Sequence, residues 1–241
     1  MMKQTILEIN GFSKTYGEGK KAADNISLTV ESGDIYGFIG HNGAGKSTTI
    51  RAIVGVLDFT EGEIRIDGHS VRDEGFLCKK VTAYIPDNPD LYENLTAIQY
   101  LDFIADVFEI GASERQERIR EYADRFEITD SLGDLIGSFS HGMKQKLAII
   151  SALIHAPKLL VLDEPFVGLD PKAAFTLKQI MHELCDNGTA IFFSTHVLDV
   201  AEKLCNKITI IKQGRIIASG TMEALTQGKS LEAVFMEVIN E

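Results

Sequence analysis

Basic residues are in short supply in this 241-residue chain: 24 Lys and Arg face 35 Asp and Glu, for a net charge of -11. That balance excludes a broad grip on nucleic acid or on an anionic membrane surface. The small basic spot Cys78-Lys79-Lys80 reads as a solvated turn. Cysteine is scarce as well. Cys78, Cys185 and Cys205 are odd in number and far apart, and none forms a CxxC pair. This excludes a disulfide framework and a cysteine zinc site, and fits reduced thiols in a cytoplasmic protein. No apolar run approaches the ~20 residues that span a bilayer. The longest candidate, LAIISALI, is followed at once by His155, Pro157 and Lys158. The start, MMKQTILEINGF, lacks the apolar region and small-residue cleavage site of a secretory signal. There is no internal repeat, low-complexity tract or Pro/Ser-rich linker. With 44% hydrophobic residues, the length suits one good-sized core, here one domain with two lobes.

The first third reads as short strands. TILEING and NISLTV alternate apolar and polar residues, as half-buried strands do. DIYGFIG is almost continuously apolar, as a buried strand should be. It breaks at glycines and leads into KSTTIRAIVGVL, an amphipathic helix, and EGEIRIDG follows as a further strand. From about Thr96 to Ile128 the period is helical, with Ser113 opening the second helix before an acidic first turn. After Pro157 strands return as KLLVLDEP, TAIFFST and KITIIKQGRIIA, with the helix KAAFTLKQIMHELCD between the first two. Alternating strand and helix predicts a largely parallel, covered sheet.

GHNGAGKST, residues 40–48, fits G-x-x-x-x-G-K-[ST] between an apolar strand and a helix, the context that motif requires. Glycines let backbone N–H groups turn inward as an anion nest, and the helix N-terminus adds its positive end. Gly40, His41, Asn42, Gly43, Ala44, Gly45, Lys46, Ser47 and Thr48 are therefore read as nucleotide-binding. Lys46 would reach the β- and γ-phosphates, and the Ser47 hydroxyl would ligate Mg²⁺. A Gly-rich turn with an incidental lysine is the plain alternative, and the flanking elements argue against it.

LLVLDEP delivers Asp163 and Glu164 at the end of a buried strand. Asp163 would hold Mg²⁺ and Glu164 would act as general base on the attacking water. By itself DEP is also a common turn composition. A small-molecule kinase needs the same cradle, metal and base, so it stays open at this point.

Over essentially its whole length the chain resembles the nucleotide-binding subunit of ATP-binding cassette (ABC) transporters. SHGMKQK is similar to that family's signature segment, with Ser140, Gly142 and Gln145 in comparable places. The resemblance implies that this segment faces the γ-phosphate held by a second subunit. A simple helix N-cap at Ser140 is compatible with that role. His196 in THV matches the family's switch histidine, Asp170 in GLDP its dimer-coupling loop, and Tyr16 in KTYG the aromatic that stacks on adenine. Asp87 in YIPDNPDLYENLT stands where the family usually has Gln. In the family that glutamine ligates Mg²⁺ and senses the membrane partner. Asp87 is expected to keep this coupling role and still ligate Mg²⁺, with altered metal contact; a plain turn carboxylate is the alternative.

What the resemblance implies is an α/β P-loop NTPase cassette: a mostly parallel core sheet, an antiparallel β region and an inserted α-helical lobe. Residues 1–92 and 158–220 would form the core, 93–157 the lobe and 221–241 a helical tail. The expected activity is ATP hydrolysis with Mg²⁺, by two subunits closing around two ATP molecules. The expected partners are a second cassette, identical or homologous, and an integral membrane permease, with no nucleic acid. Such a subunit sits in the cytoplasm, on the inner face of the membrane through its permease. LYENLTAIQYLDF would lie near the permease groove, most of it as lobe core. The signature form and short tail resemble bacterial subunits that serve separately encoded permeases, often exporters. A soluble relative acting on ribosomes or DNA is the competing class; it would bring two cassettes and a charged linker, or a cassette split by a coiled coil. The signature, Asp170 and His196 in order disfavour the kinase.

Overall fold

The computed structural model describes residues 4–17 and 19–240. Two long strands open the fold, β1 (Thr5–Tyr16) and β2 (Lys20–Glu31). The central strand β3 (Ile35–Ile39) is buried at every position and is followed by helix α1 (Lys46–Ile53). Next come β4 (Glu61–Ile66), β5 (His69–Ser70), α2 (Gly75–Lys80) and β6 (Thr82–Ile85). Three helices occupy the middle: α3 (Ala97–Val107), α4 (Ala112–Arg125) and α5 (His141–Leu153). The last part runs β7 (Leu159–Asp163), α6 (Pro171–Asp186), β8 (Ala190–Thr195), α7 (Leu198–Leu204), β9 (Lys207–Lys212), β10 (Arg215–Thr221), α8 (Met222–Thr226) and α9 (Leu231–Asn240).

These strands form two sheets. One is antiparallel, in the order β2-β1-β4-β5; the other has six strands in the order β10-β9-β3-β8-β7-β6. In the second sheet β9, β3, β8, β7 and β6 run parallel and only β10 is antiparallel. Its central strands β3, β8 and β7 are buried at every position, covered on both faces, and so read as largely apolar runs, whereas the edge strand β10 is partly exposed. Successive residues of β7 divide between two cores. Leu159 and Val161 pack with Phe192, Ile50 and the antiparallel sheet, while Leu160 and Leu162 pack with Phe193 and the helices α3 to α6. The α/β class expected from the alternating pattern is the class observed.

Several local expectations change. KITIIKQGRIIA is not one strand but a hairpin, turned by Gln213 and Gly214 with φ of 49° and 81°. Positive φ at both central residues is the turn that matches strand twist. Ser113 does not start its helix. Gly111 is the N-cap, and Ser113 lies inside α4. The helix α1 stops at Ile53, before the left-handed Gly55 (φ 68°), rather than running on to Leu57. Residues 78–80 end helix α2 instead of forming a turn, with Cys78 buried. In LYENLTAIQYLDF only Leu91, Ala97 and Leu101 are buried, while Tyr92 and Phe103 are exposed with their rings 5.9 Å apart. All three cysteines are buried thiols. Among the described residues no helix is long and apolar enough to cross a membrane.

Candidate functional site

Strand β3 runs into residues 40–45 and then into α1, so the loop's N–H groups stand at the start of a helix. Gly45 is the N-cap at φ 113°, and Gly43 sits at φ 80°. A Cβ on Gly45 would lie 2.2 Å from the Ala22 carbonyl oxygen, and one on Gly40 would lie 2.6 Å from that of Ile211. Only glycine fits at either place. The turn after β9 braces the loop, because the Gly214 N–H donates to the Ala44 carbonyl at 2.8 Å. Lys46 is folded back and buried. Its Nζ donates to the Gly40 carbonyl at 2.7 Å and lies 3.6 Å from Glu164 Oε1.

Strand β7 places Asp163 at its end, 3% exposed, with the Ser194 hydroxyl of neighbouring β8 donating to its carboxylate. Glu164 follows with φ 49°, a left-handed conformation that a non-glycine residue adopts only when its surroundings enforce it. Here Ser194 enforces it: the Glu164 N–H donates to the Ser194 carbonyl at 3.2 Å. His196, beyond β8, sets its Nδ1 2.9 Å from Glu164 Oε1. Lys46, Glu164 and His196, remote in sequence, thus form one chain of charge and hydrogen bonding. Burial and the Asp163 charge together push the neighbouring Tyr84 phenol up to about 12, so it stays neutral.

An open cleft of about 970 Å³ lies over this chain, walled by Tyr16, His41, Asn42, Gly43, Gly45, Lys46, Ser47, Thr48, Asp87, Asp163 and Glu164. Lys21, Ala22 and Gln213 complete the wall. Those three carry no motif; only the pairing of β2 and the β9–β10 turn with the loop brings them there. Tyr16 is 43% exposed, with Lys14 Nζ over its ring at 5.6 Å from the centroid. Asp87 is exposed, its Oδ1 accepting the Asn88 N–H at 3.0 Å.

Residues 23–167 match the family model described as ABC transporter. The chain belongs to the ABC transporter family. It is 35% identical over 222 residues to the ABC-type transporter ATP-binding protein EcsA of Bacillus subtilis (strain 168), covering 90% of each chain. A solved structure described as the ATP binding subunit of an ABC transporter superposes with a TM-score of 0.93 at 34% identity, over 97% of this chain and 99% of that one. A dimeric ATP-binding cassette in a post-hydrolysis state with ADP and Pi shares the fold, with a TM-score of 0.82 at 24% identity, over 90% and 99% of the two chains. This protein is accordingly an ATP-binding ABC ATPase subunit.

In this ABC ATPase the SHGMKQK segment, residues 140–146, stands apart from the cleft. None of Ser140, Gly142, Gln145 and Asp170 lines it. Ser140 caps α5, its Oγ accepting the Met143 N–H at 3.3 Å. A Cβ on Gly142 would sit 3.0 Å from the Gly168 carbonyl oxygen, so the start of α5 packs on the GLDP segment. Asp170 caps α6 through the Ala173 N–H at 2.8 Å and pairs with Lys146 at 2.8 Å. The Lys146 bond, helped by that N–H, holds its carboxyl below the usual carboxylate range. Ser140 and Asp170 are exposed. Gln145 departs from expectation: it is fully buried, and neither amide atom meets a partner among the described residues. Its position in the second turn of α5 aims it into the core, so it cannot share the exposed face of Ser140.

Proposed function

We propose that two copies of this subunit, or one copy and a homologue, close face to face around two ATP molecules and so drive a membrane permease. The Lys46–Glu164–His196 chain beneath the 40–48 cradle carries this reading. It joins a phosphate-binding cation, a base and a histidine that orients the base. Each ATP would lie on one cradle, its adenine against Tyr16, under the Ser140–Gly142 helix start and Asp170 of the opposing subunit.

Among the described residues no group of three or more His, Cys, Asp and Glu side chains could hold a metal alone. Asp163 and the Ser47 hydroxyl supply two oxygen donors, with Asp87 on the same wall, a set that fits Mg²⁺ completed by phosphate and water. Magnesium bound there would neutralise charge on the phosphate oxygens. The protein's own work is positioning. The nest and Lys46 bind the phosphates, Glu164 takes the proton of the attacking water, and His196 fixes the Glu164 carboxylate. Once the γ-phosphate is lost, the bond between the two halves weakens and they part.

Closure needs a receiver. An exposed apolar stripe of Tyr92, Phe103 and Val107 on the α3 side, with Phe76 on α2, is available for contact. Tagged Glu164→Gln protein, purified from detergent-solubilised cells in Mg-ATP, should bring down a polytopic membrane protein in stoichiometric amount. Ribosomal or DNA-associated proteins without a membrane protein would overturn the permease assignment.

A further inference from the structure

The C-terminal helix α9 lies against the nucleotide loop. The ring of Phe235 meets the ring of His41 edge-on, with centroids 5.2 Å apart and planes at 65°. His41 is a cleft-wall residue. Its backbone carbonyl accepts the Ala44 N–H at 3.1 Å and faces Lys46 Nζ at 3.4 Å. Whatever holds the His41 ring therefore also holds the turn that places Lys46.

Helix α9 is itself fixed at both ends to the nucleotide-facing part of the fold. The Leu231 N–H donates to the Glu202 carboxylate at 3.0 Å, on α7, the helix that follows His196. Lys212, next to the cleft-wall residue Gln213, donates to the Ile239 carbonyl. Leu231 and Phe235 are 0% and 6% exposed, in the same apolar cluster as Ala201 and Leu204 of α7. One helix thus touches the phosphate loop, the helix behind His196 and the end of β9.

We propose that α9 is a clasp on the nucleotide site and that Phe235 is a positioning residue, acting through His41 to set ATP affinity. This rests on the placement of ATP over residues 40–48 proposed above. An edge-to-face aromatic pair carries a modest energy, enough to change affinity by roughly three- to tenfold.

The test is a double-mutant cycle on the full-length chain with His41→Ala, Phe235→Ala and the pair. ATP affinity is read by calorimetry, KM and kcat by steady-state hydrolysis, and stability by guanidinium unfolding without nucleotide. Phe235→Ala should weaken ATP binding about fivefold and raise KM in step, with kcat within about twofold. It should add almost nothing once His41 is alanine. Phe235→Tyr keeps the ring and should restore wild-type affinity. Should Phe235→Ala not fold, Phe235→Leu, which fills the site without a ring, takes its place in the cycle with the same expected loss. The proposal fails if Phe235→Ala lowers stability but leaves ATP affinity unchanged, if the two single effects add in full, or if Phe235→Tyr binds as weakly as a ringless variant. Wild-type protein that bound no ATP would instead remove the nucleotide placement itself.

Discussion

Gln145 separates what a motif shows from what a residue does. In the sequence it stands in a polar signature segment beside Ser140 and Gly142, and the resemblance assigns all three to a phosphate. Ser140 and Gly142 sit at the helix start, where a cap and a close backbone approach are visible. Gln145 lies inside the first turns of α5 with its amide buried and unpartnered. A string of letters carries spacing but not the rotation of a helix against its core, so the inward turn was not legible. An unpartnered buried amide costs about 1–3 kcal/mol. Gln145→Leu is therefore expected to raise stability by about 1 kcal/mol in guanidinium unfolding and to leave ATP turnover near wild type. A stable variant without ATPase activity would return Gln145 to the nucleotide site. Glu164 shows the opposite case. LLVLDEP places it at a strand end, and the structure adds the left-handed backbone and the His196 and Lys46 partners that no local pattern contains.

The helices α3, α4 and α5 are clipped together at one point. His155, just after α5, stacks on Phe108 at the end of α3 with centroids 3.7 Å apart, and Arg118 of α4 donates to the Ile154 carbonyl at 2.6 Å. Burial, with Arg118 nearby, pushes the His155 imidazole down from 6.5 to about 4. The folded form therefore resists protonation. This stabilisation is whole above about pH 6.5 and is lost as pH falls towards about 4. Relative to His155→Phe, which keeps the stack and cannot titrate, the wild type should lose stability over that window with a slope approaching about 1.4 kcal/mol per pH unit. Parallel stability curves for the two proteins would contradict the assignment. In the sequence His155 reads only as an interruption of an apolar run; its partner lies 47 positions upstream, at Phe108. Elements with strong local signals, such as β3, β7 and α6, were legible. Those set by a tight turn or by tertiary pairing, such as the β9–β10 hairpin and the start of α4, were not.

At the scale of the molecule, the two sets of residues that the proposed function brings together sit on different surfaces of one chain. The cleft holds the cradle, Lys46, Asp163 and Glu164, while Ser140 and Asp170 are exposed elsewhere, tied to each other through the Gly142–Gly168 contact and the Lys146–Asp170 pair. Under the proposed function a single subunit has a binding site without its lid and a lid without its site, and a second copy would supply both. This is the central claim, and its most direct test is the solution mass of Glu164→Gln protein by light scattering, with and without saturating Mg-ATP. Removing the base while keeping the cradle should leave ATP bound and the pair closed. The account predicts a mass of twice the 26.5 kDa chain in Mg-ATP, returning to one chain when nucleotide is removed. A protein that binds ATP and stays at the single-chain mass would contradict it.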